Sequence, residues 1–382
     1  MNILHVNQND FFGGAAKIAH SLHRCYHSAG HSSWFAVSCK HVPDASIVQI
    51  PDLPPSSSKI ANLLWKLRGF IKKHKGKKGM GVAISVLRAL ANIHAEVERR
   101  EGHEDFDYPG SRKLLDLIPA KPDIIHLHNL HGNYFDLRFL PELSQKAPVF
   151  ITLHDEWLLT GHCAYTLGCK HWKTGCGQCP DLTIYPSIPR DAAHFNWQRK
   201  REIYGQCRFY VATPSQWLMD EVKESILAPA IIESRVIPNG VDQSIFKSGA
   251  KLKVRNELNL PESSKIILFL LARNFKFNRF KDFKTIKDAI SIIMKDKANR
   301  NIVAIGVGSS DDSRYFDPQQ VKIMGFVKDE KQLAKYYQAA DVYIHAAHSD
   351  NFPTTVVESL SCGTPVVATA VDGIPEQIIE GE

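Results

Sequence analysis

Two carboxylates, Asp350 and Glu358, lie eight residues apart in ADVYIHAAHSDNFPTTVVESLSCGTPVVA (340–368), between two apolar runs. The run 341–346 predicts a strand, Pro353 with Thr354 and Thr355 predicts the start of a short helix, Gly363 its end, and 365–368 the next strand. A loop that leaves the carboxyl end of a strand and enters a helix meets free backbone N–H groups and a partial positive charge. Both suit a phosphate. Glu358, one turn into the helix, can face the same ligand.

Three further groups could join such chemistry. Gly13 and Gly14 follow the first apolar run, 2–7, and open the helical pattern AAKIAHSLHRCYHSAG. Glycines there let a ligand approach backbone N–H groups, and a plain strand-to-helix turn uses the same residues. PDIIHLHNLHG (122–132) and VFITLHDEW (149–157) place His128 and His154 at the ends of two apolar strands, the ligand-binding end of a parallel sheet. Asp155 follows His154 directly, as in charged pairs at clefts; a satisfied structural histidine is the alternative. ARNFKFNRFKDF (272–283) carries Arg273, Lys276, Arg279 and Lys281. These cations suit a diphosphate without a bound Mg²⁺, or else form a solvated basic loop.

Two features stand apart from that chemistry. Cys163, Cys169, Cys176 and Cys179 form C-x5-C-x6-C-x2-C. They either close a structural zinc site or remain thiols in a redox-labile loop. The segment 58–78 predicts a basic amphipathic helix with Ile60, Leu63, Leu64, Leu67 and Ile71 along one face. Such a helix lies on an anionic membrane surface, near a lipid-linked acceptor, or turns that face to the core.

The elements that must position these residues follow a simple alternation. Strand-like runs at 2–7, 34–38, 123–128, 149–154, 209–212, 266–271, 301–305, 322–326 and 341–346 are separated by helical stretches. That predicts parallel sheets with crossover helices. A polar, basic stretch at 243–257 divides the strands, giving two doubly wound α/β domains, 1–242 and 243–382. The chain of 382 residues, 44% hydrophobic and 23% charged, is long enough for two cores. It contains 47 basic and 40 acidic residues, yet 58–78 alone holds eight Lys/Arg and no Asp or Glu, and the remainder is 39 against 40. A general nucleic-acid surface is therefore not expected. No run of about 18 apolar residues and no basic n-region occurs, so the cytoplasm is the expected compartment, with a peripheral position at the inner face of the cell membrane if 58–78 binds lipid.

With these motifs in order, the chain resembles family 4 of the retaining glycosyltransferases, in particular the bacterial members that build exopolysaccharides. DNFPTTVVE (350–358) followed by SLSCGTPVVA resembles the family's E-x7-E region. FGGAAKIAHSL, YPGSRKLLDLIPAKPDIIHLHNLHGNYF, ITLHDEWLLTGHC, TPSQWL and VIPNGVDQSIF are similar as well, leaving out only 51–103. The resemblance implies a GT-B fold of two facing Rossmann-like domains and a nucleotide-sugar donor. It also implies a saccharide or lipid-linked acceptor, retention by same-face attack, and no catalytic metal. By position, it implies that Glu358 binds the ribose, Asp350 the donor sugar, Lys281 and Arg273 the diphosphate, and that His154 lies near the transferred sugar. Gly13 and Gly14 match the loop near donor phosphate and acceptor.

Two positions depart from the pattern: Asp350 is one methylene shorter than the usual Glu, and Asp282 stands where a Gly is usual. The chain stops at Glu382, where the family continues through further helices, so the second domain is expected to be truncated. A non-catalytic sugar-nucleotide-binding or scaffold protein is the alternative from another class. A sugar-nucleotide epimerase of similar fold is a third.

Overall fold

A computed structural model describes residues 1–54, 58–73, 80–271, 278–296, 301–308, 316–317 and 321–381. The chain divides into two compact units. One comprises Met1–Pro214 and Leu218–Ile237, the other Ser215–Trp217 and Pro238–Glu382.

The first unit is built on β1 (Asn2–Asn9), β2 (Ser32–Cys39), β3 (Ile47–Gln49), β4 (Ile124–Leu127), β5 (Val149–Thr152), β6 (Phe209–Thr213) and β7 (Ile231–Val236). They form one sheet in the order β3-β2-β1-β4-β5-β6-β7, every pair parallel. Central strands are buried on both faces, as parallel sheets require: Ile3, Leu4, Val6, Ile125, Leu127 and Ile151 are all in the core. Its helices are α1 (Gly14–Ser28), α2 (Lys59–Lys73), α3 (Met80–Ala91), α4 (Ile93–Arg100), α5 (Leu140–Lys146), α6 (Ala193–Tyr204) and α7 (Gln216–Lys223). The α2, α3 and α4 helices are an insertion between β3 and β4, with α2 packed on α3.

The second unit has α8 (Lys251–Glu257), β8 (Lys265–Leu270), α9 (Phe283–Lys295), β9 (Ile302–Val307), β10 (Val321–Met324), α10 (Glu330–Ala339), β11 (Val342–His345), α11 (Thr354–Ser361) and β12 (Val366–Ala368). Its parallel sheet runs β10-β9-β8-β11-β12. Leu268, Tyr337, Tyr343 and Val356 pack on one face of that sheet, and Phe269, Ile286 and Ile290 on the other, so helices cover both.

Each sheet therefore reverses its strand order once, between β1 and β4 in the first unit and between β8 and β11 in the second. Loops beyond the carboxyl ends of those strands flank a crevice at the switch point, where open α/β sheets bind ligands. Gly13, His128, Lys281 and Asp350 sit on those loops, Thr354, Thr355 and Glu358 on the helix that follows β11, and His154 beyond the neighbouring β5.

Candidate functional site

In the second unit the loop after β8 is pinned to the loop after β11. Phe280 accepts the His348 N–H through its carbonyl at 2.9 Å, and the Asp282 N–H donates to Ala346 O at 3.1 Å. Residues far apart in sequence are thereby brought together. Lys281 Nζ makes an ion pair with Asp350 Oδ2, and His345 Nε2 lies 3.4 Å from the same oxygen. Burial pushes the Asp350 carboxyl up, but Lys281 and His345 outweigh it and bring the pKa down to about 2. Its backbone N–H is fixed by Asp372 Oδ2 at 3.0 Å.

Behind the pair runs a buried polar chain. Tyr343 Oη meets His345 Nδ1 at 3.1 Å, the Tyr343 and Tyr337 rings pack edge to face at 5.5 Å, and Tyr337 donates to Glu358 Oε2 at 3.0 Å. Glu358 is 3% exposed. Thr354 and Thr355 open α11 behind Pro353, with no side chain capping that end, and Thr355 Oγ1 lies 3.5 Å from His345 Nδ1. Gly363, at φ +78°, closes the helix in the left-handed conformation. Asp282 has a different task from ligand contact. It caps α9, accepting from Thr285 N at 2.9 Å and Thr285 Oγ1 at 2.6 Å, so its charge is directed at that helix end. Arg273 and Lys276 lie outside the described residues.

The first unit holds the other candidates. Gly13 is the N-cap of α1 at φ +93°, with no side-chain cap, and a Cβ at Gly13 or Gly14 would meet nothing within 4 Å. That helix end has the open approach its glycines suggest. The structure joins His128 and His154 directly: His128 Nδ1 lies 3.1 Å from His154 Nε2, and His128 Nε2 lies 3.3 Å from His5 Nδ1. His126 Nε2 pairs with Thr152 Oγ1 at 2.8 Å. Burial drives these imidazoles toward the neutral form, with pKa values of about 3 for His126 and about 4 for His154, and His5 and His128 also well below the ordinary range. Asp155 pairs with His131 Nε2 at 2.8 Å, so the acid after His154 serves a different histidine.

Metal-ligating groups give a clear comparison. Among the described residues, the one set of three or more His, Cys, Asp or Glu with ligand atoms within 4.8 Å of one another is His5, His126 and His128. The four cysteines are free thiols in the long β5–α6 connection and present no such shell. Cys176 Sγ accepts the Gly161 N–H at 3.2 Å and Cys179 Sγ meets His162 Nε2 at 3.3 Å. The connection is instead held by Lys200. Fully buried, it donates to Trp157 O at 3.0 Å and Thr160 O at 3.1 Å and pairs with Glu104 at 3.0 Å.

His5, Lys200, Tyr337, Tyr343 and His345 are the residues the motif reading missed. A signal existed for two of them: Tyr343 and His345 are two apart on a strand and so share a face with a polar tip each.

Two doubly wound parallel units, with candidate ligand groups on the switch-point loops of each, define the GT-B class of α/β proteins. Solved structures agree at the level of fold. HepE of Anabaena in complex with UDP and glucose aligns with a TM-score of 0.57 and 16% identity over 100% of this chain and 84% of that one. Sucrose-phosphate synthase from Thermosynechococcus elongatus aligns at 0.58 and 17%, over 99% and 83%. The family model described as Glycosyltransferase Family 4 matches residues 12–244, and that described as Glycosyl transferases group 1 matches 251–382. The chain belongs to glycosyltransferase family 4. A curated relative, the putative colanic acid biosynthesis glycosyl transferase WcaC of Escherichia coli strain K12, is 30% identical over 270 residues, 67% of this chain and 62% of that protein.

Proposed function

We propose that this protein transfers a sugar from a nucleoside-diphosphate donor to a saccharide or lipid-linked acceptor, in the assembly of a polysaccharide. Transfer occurs with retention and without a metal ion, and the protein works peripherally at the cytoplasmic face of an anionic membrane. The observation that carries the reading is the grouping of Lys281, Asp350 and His345 beside the uncapped end of α11, at the strand-order reversal of the second sheet. Family membership and the likeness to WcaC support the activity and its setting. HepE, solved in complex with UDP-glucose, supports the donor class.

The chemistry follows from where charge develops. As the bond from the anomeric carbon to the donor phosphate breaks, negative charge grows on the leaving diphosphate. Lys281 and the α11 N-terminus at Thr354 and Thr355 are the groups that receive it, and Arg273 joins them by position. Asp350 is ionised and fixed to take a sugar hydroxyl, while Glu358 holds the ribose. In the first unit His154, kept neutral, approaches the transferred sugar, and Gly13 and Gly14 admit donor phosphate and acceptor.

The test is a donor screen on purified protein, with binding of nucleoside diphosphates measured by calorimetry and transfer by product release. Lys281→Ala should lose about 10²–10³ in rate, as for removal of one preorganised charge-stabilising group. Full activity in both Lys281→Ala and Glu358→Ala overturns the site. Nucleotide binding without transfer on any acceptor identifies the non-catalytic binder, and donor interconversion without acceptor the epimerase.

A further inference from the structure

The α2 and α3 helices pack on each other, with Leu64, Ile71, Ile84 and Leu87 half-buried, and turn a second set of apolar side chains to the outside. On α2, Ile60, Leu63, Leu67 and Phe70 are between 47% and 71% exposed. They recur at helical spacing and form one ridge. On α3, Val82, Val86 and Leu90 are between 49% and 70% exposed, again along one face. The side toward the protein is held in part by polar contacts. Trp65 Nε1 donates to Asp52 O at 2.8 Å, Arg68 pairs with Asp52 at 2.8 Å, and Arg88 donates to Asp105 at 2.6 Å and Tyr108 Oη at 2.9 Å. An amphipathic surface helix ordinarily buries its apolar stripe and shows its charges. Here Ile60, Leu63 and Leu67 of the stripe face outward, while Leu64 and Ile71 are half-buried.

The occupant of that ridge is indicated by charge and length. Lys59, Lys66, Arg68, Lys72 and Lys73 give α2 five cations and no acid, with Lys59 and Lys66 exposed beside the ridge, while Lys72 pairs with Asp52 at 3.2 Å on the side of Arg68. At 15 and 12 residues, α2 and α3 are each too short to cross about 30 Å of hydrocarbon. No single described helix is long and apolar enough to cross a membrane. Aliphatic side chains flanked by lysines on short helices match the acyl–headgroup boundary of an anionic bilayer.

We propose that α2 and α3 together form a membrane-inserting hairpin. The ridge enters the acyl boundary of an anionic leaflet and the α2 lysines engage headgroup phosphates. This deepens the peripheral association proposed above by naming the surface and assigning half of it to the uncharged face of α3. It fails separately from sugar transfer, because lipid binding needs no donor.

The experiment is flotation of the full chain with vesicles of phosphatidylcholine alone and with about one-third phosphatidylglycerol, with the protein's mass in solution measured in parallel. The variants are Leu63→Gln with Leu67→Gln on α2, Val82→Gln with Val86→Gln on α3, and Lys59→Gln with Lys66→Gln. All are at exposed positions, and unchanged thermal melts confirm that each folds. Wild type should float with the anionic vesicles, and each apolar pair should weaken partition by about tenfold or more. The lysine pair should weaken it chiefly at low salt. Flotation that ignores anionic lipid content, or α3 variants that float like wild type, overturns the proposal. A wild-type dimer that the apolar variants convert to monomer identifies a second copy of the chain as the occupant instead.

Discussion

Asp350 and Lys281 neutralise each other across 69 residues of sequence, and that pairing decides what each can do. With the carboxyl held at about 2, below its unfolded value of about 3.9, Asp350 stabilises the fold above pH 4. That contribution is lost as the pH falls toward 2. Removing Lys281 takes away the largest of the interactions that lower this pKa. In Lys281→Ala the Asp350 pKa should rise, and Asp350→Asn in that background should recover stability that Lys281→Ala alone loses. Urea unfolding at pH 7 measures both, with an expected cost of about 1–2 kcal/mol for the single variant; additive losses would show that the two side chains are not coupled. Glu358 sets a second test at this scale. Its Tyr337 bond survives in Glu358→Gln, so stability should change by under about 1 kcal/mol, whereas donor affinity should fall by about tenfold or more. The carboxylate spacing was legible in the sequence because it is local. The Lys281 contact was not, since it depends on which strands become neighbours.

At the scale of elements, the apolar runs located the central strands, because strands buried on both faces read as continuous hydrophobic segments. β3, with three residues, and β7, whose IIESRV is largely polar outward, lie at the edges of the sheet and carried no such signal. The periodicity of α2 was equally visible, but a period cannot say which face meets solvent. Only the Asp52 contacts and the placement of α3 do. The α1 junction gives this scale its prediction. Gly13 sits at φ +93° and Gly14 begins the helix, and neither would bring a Cβ against any neighbour. Gly13→Ala should therefore cost about 1–2 kcal/mol through backbone strain alone, while Gly14→Ala should be neutral or slightly stabilising. Denaturant unfolding of the two variants makes the comparison, and equal effects would show that the left-handed turn is not required.

The whole molecule divides its titrating groups unevenly, and its acid response should show it. His5, His126 and His128 are at most 4% exposed and meet at the carboxyl half of the first unit's sheet. Burial holds all three neutral, His126 down to about 3. Unfolding returns them to water, where imidazole takes up a proton below about pH 6.5. Between that pH and the folded value the unfolded chain binds more protons than the native one, so stability falls as pH falls. Each histidine approaches a slope of about 1.36 kcal/mol per pH unit in that window. In the second unit, Asp350 stays ionised until about pH 2, so its ion pair is not the contribution lost near pH 5. Calorimetric scans from pH 7.5 to 5 should thus show a transition that moves down steeply, chiefly through the first unit's buried histidines, with His345 of the second unit, also lowered by burial, adding to it. His126→Gln, which retains a hydrogen-bonding group for Thr152 and cannot titrate, should flatten that slope by about one histidine's share. A melting profile level between pH 7.5 and 5, in a protein whose variant melts identically, would mean that these imidazoles are charged in the folded state and that the neutral chain from His5 through His128 to His154 does not form.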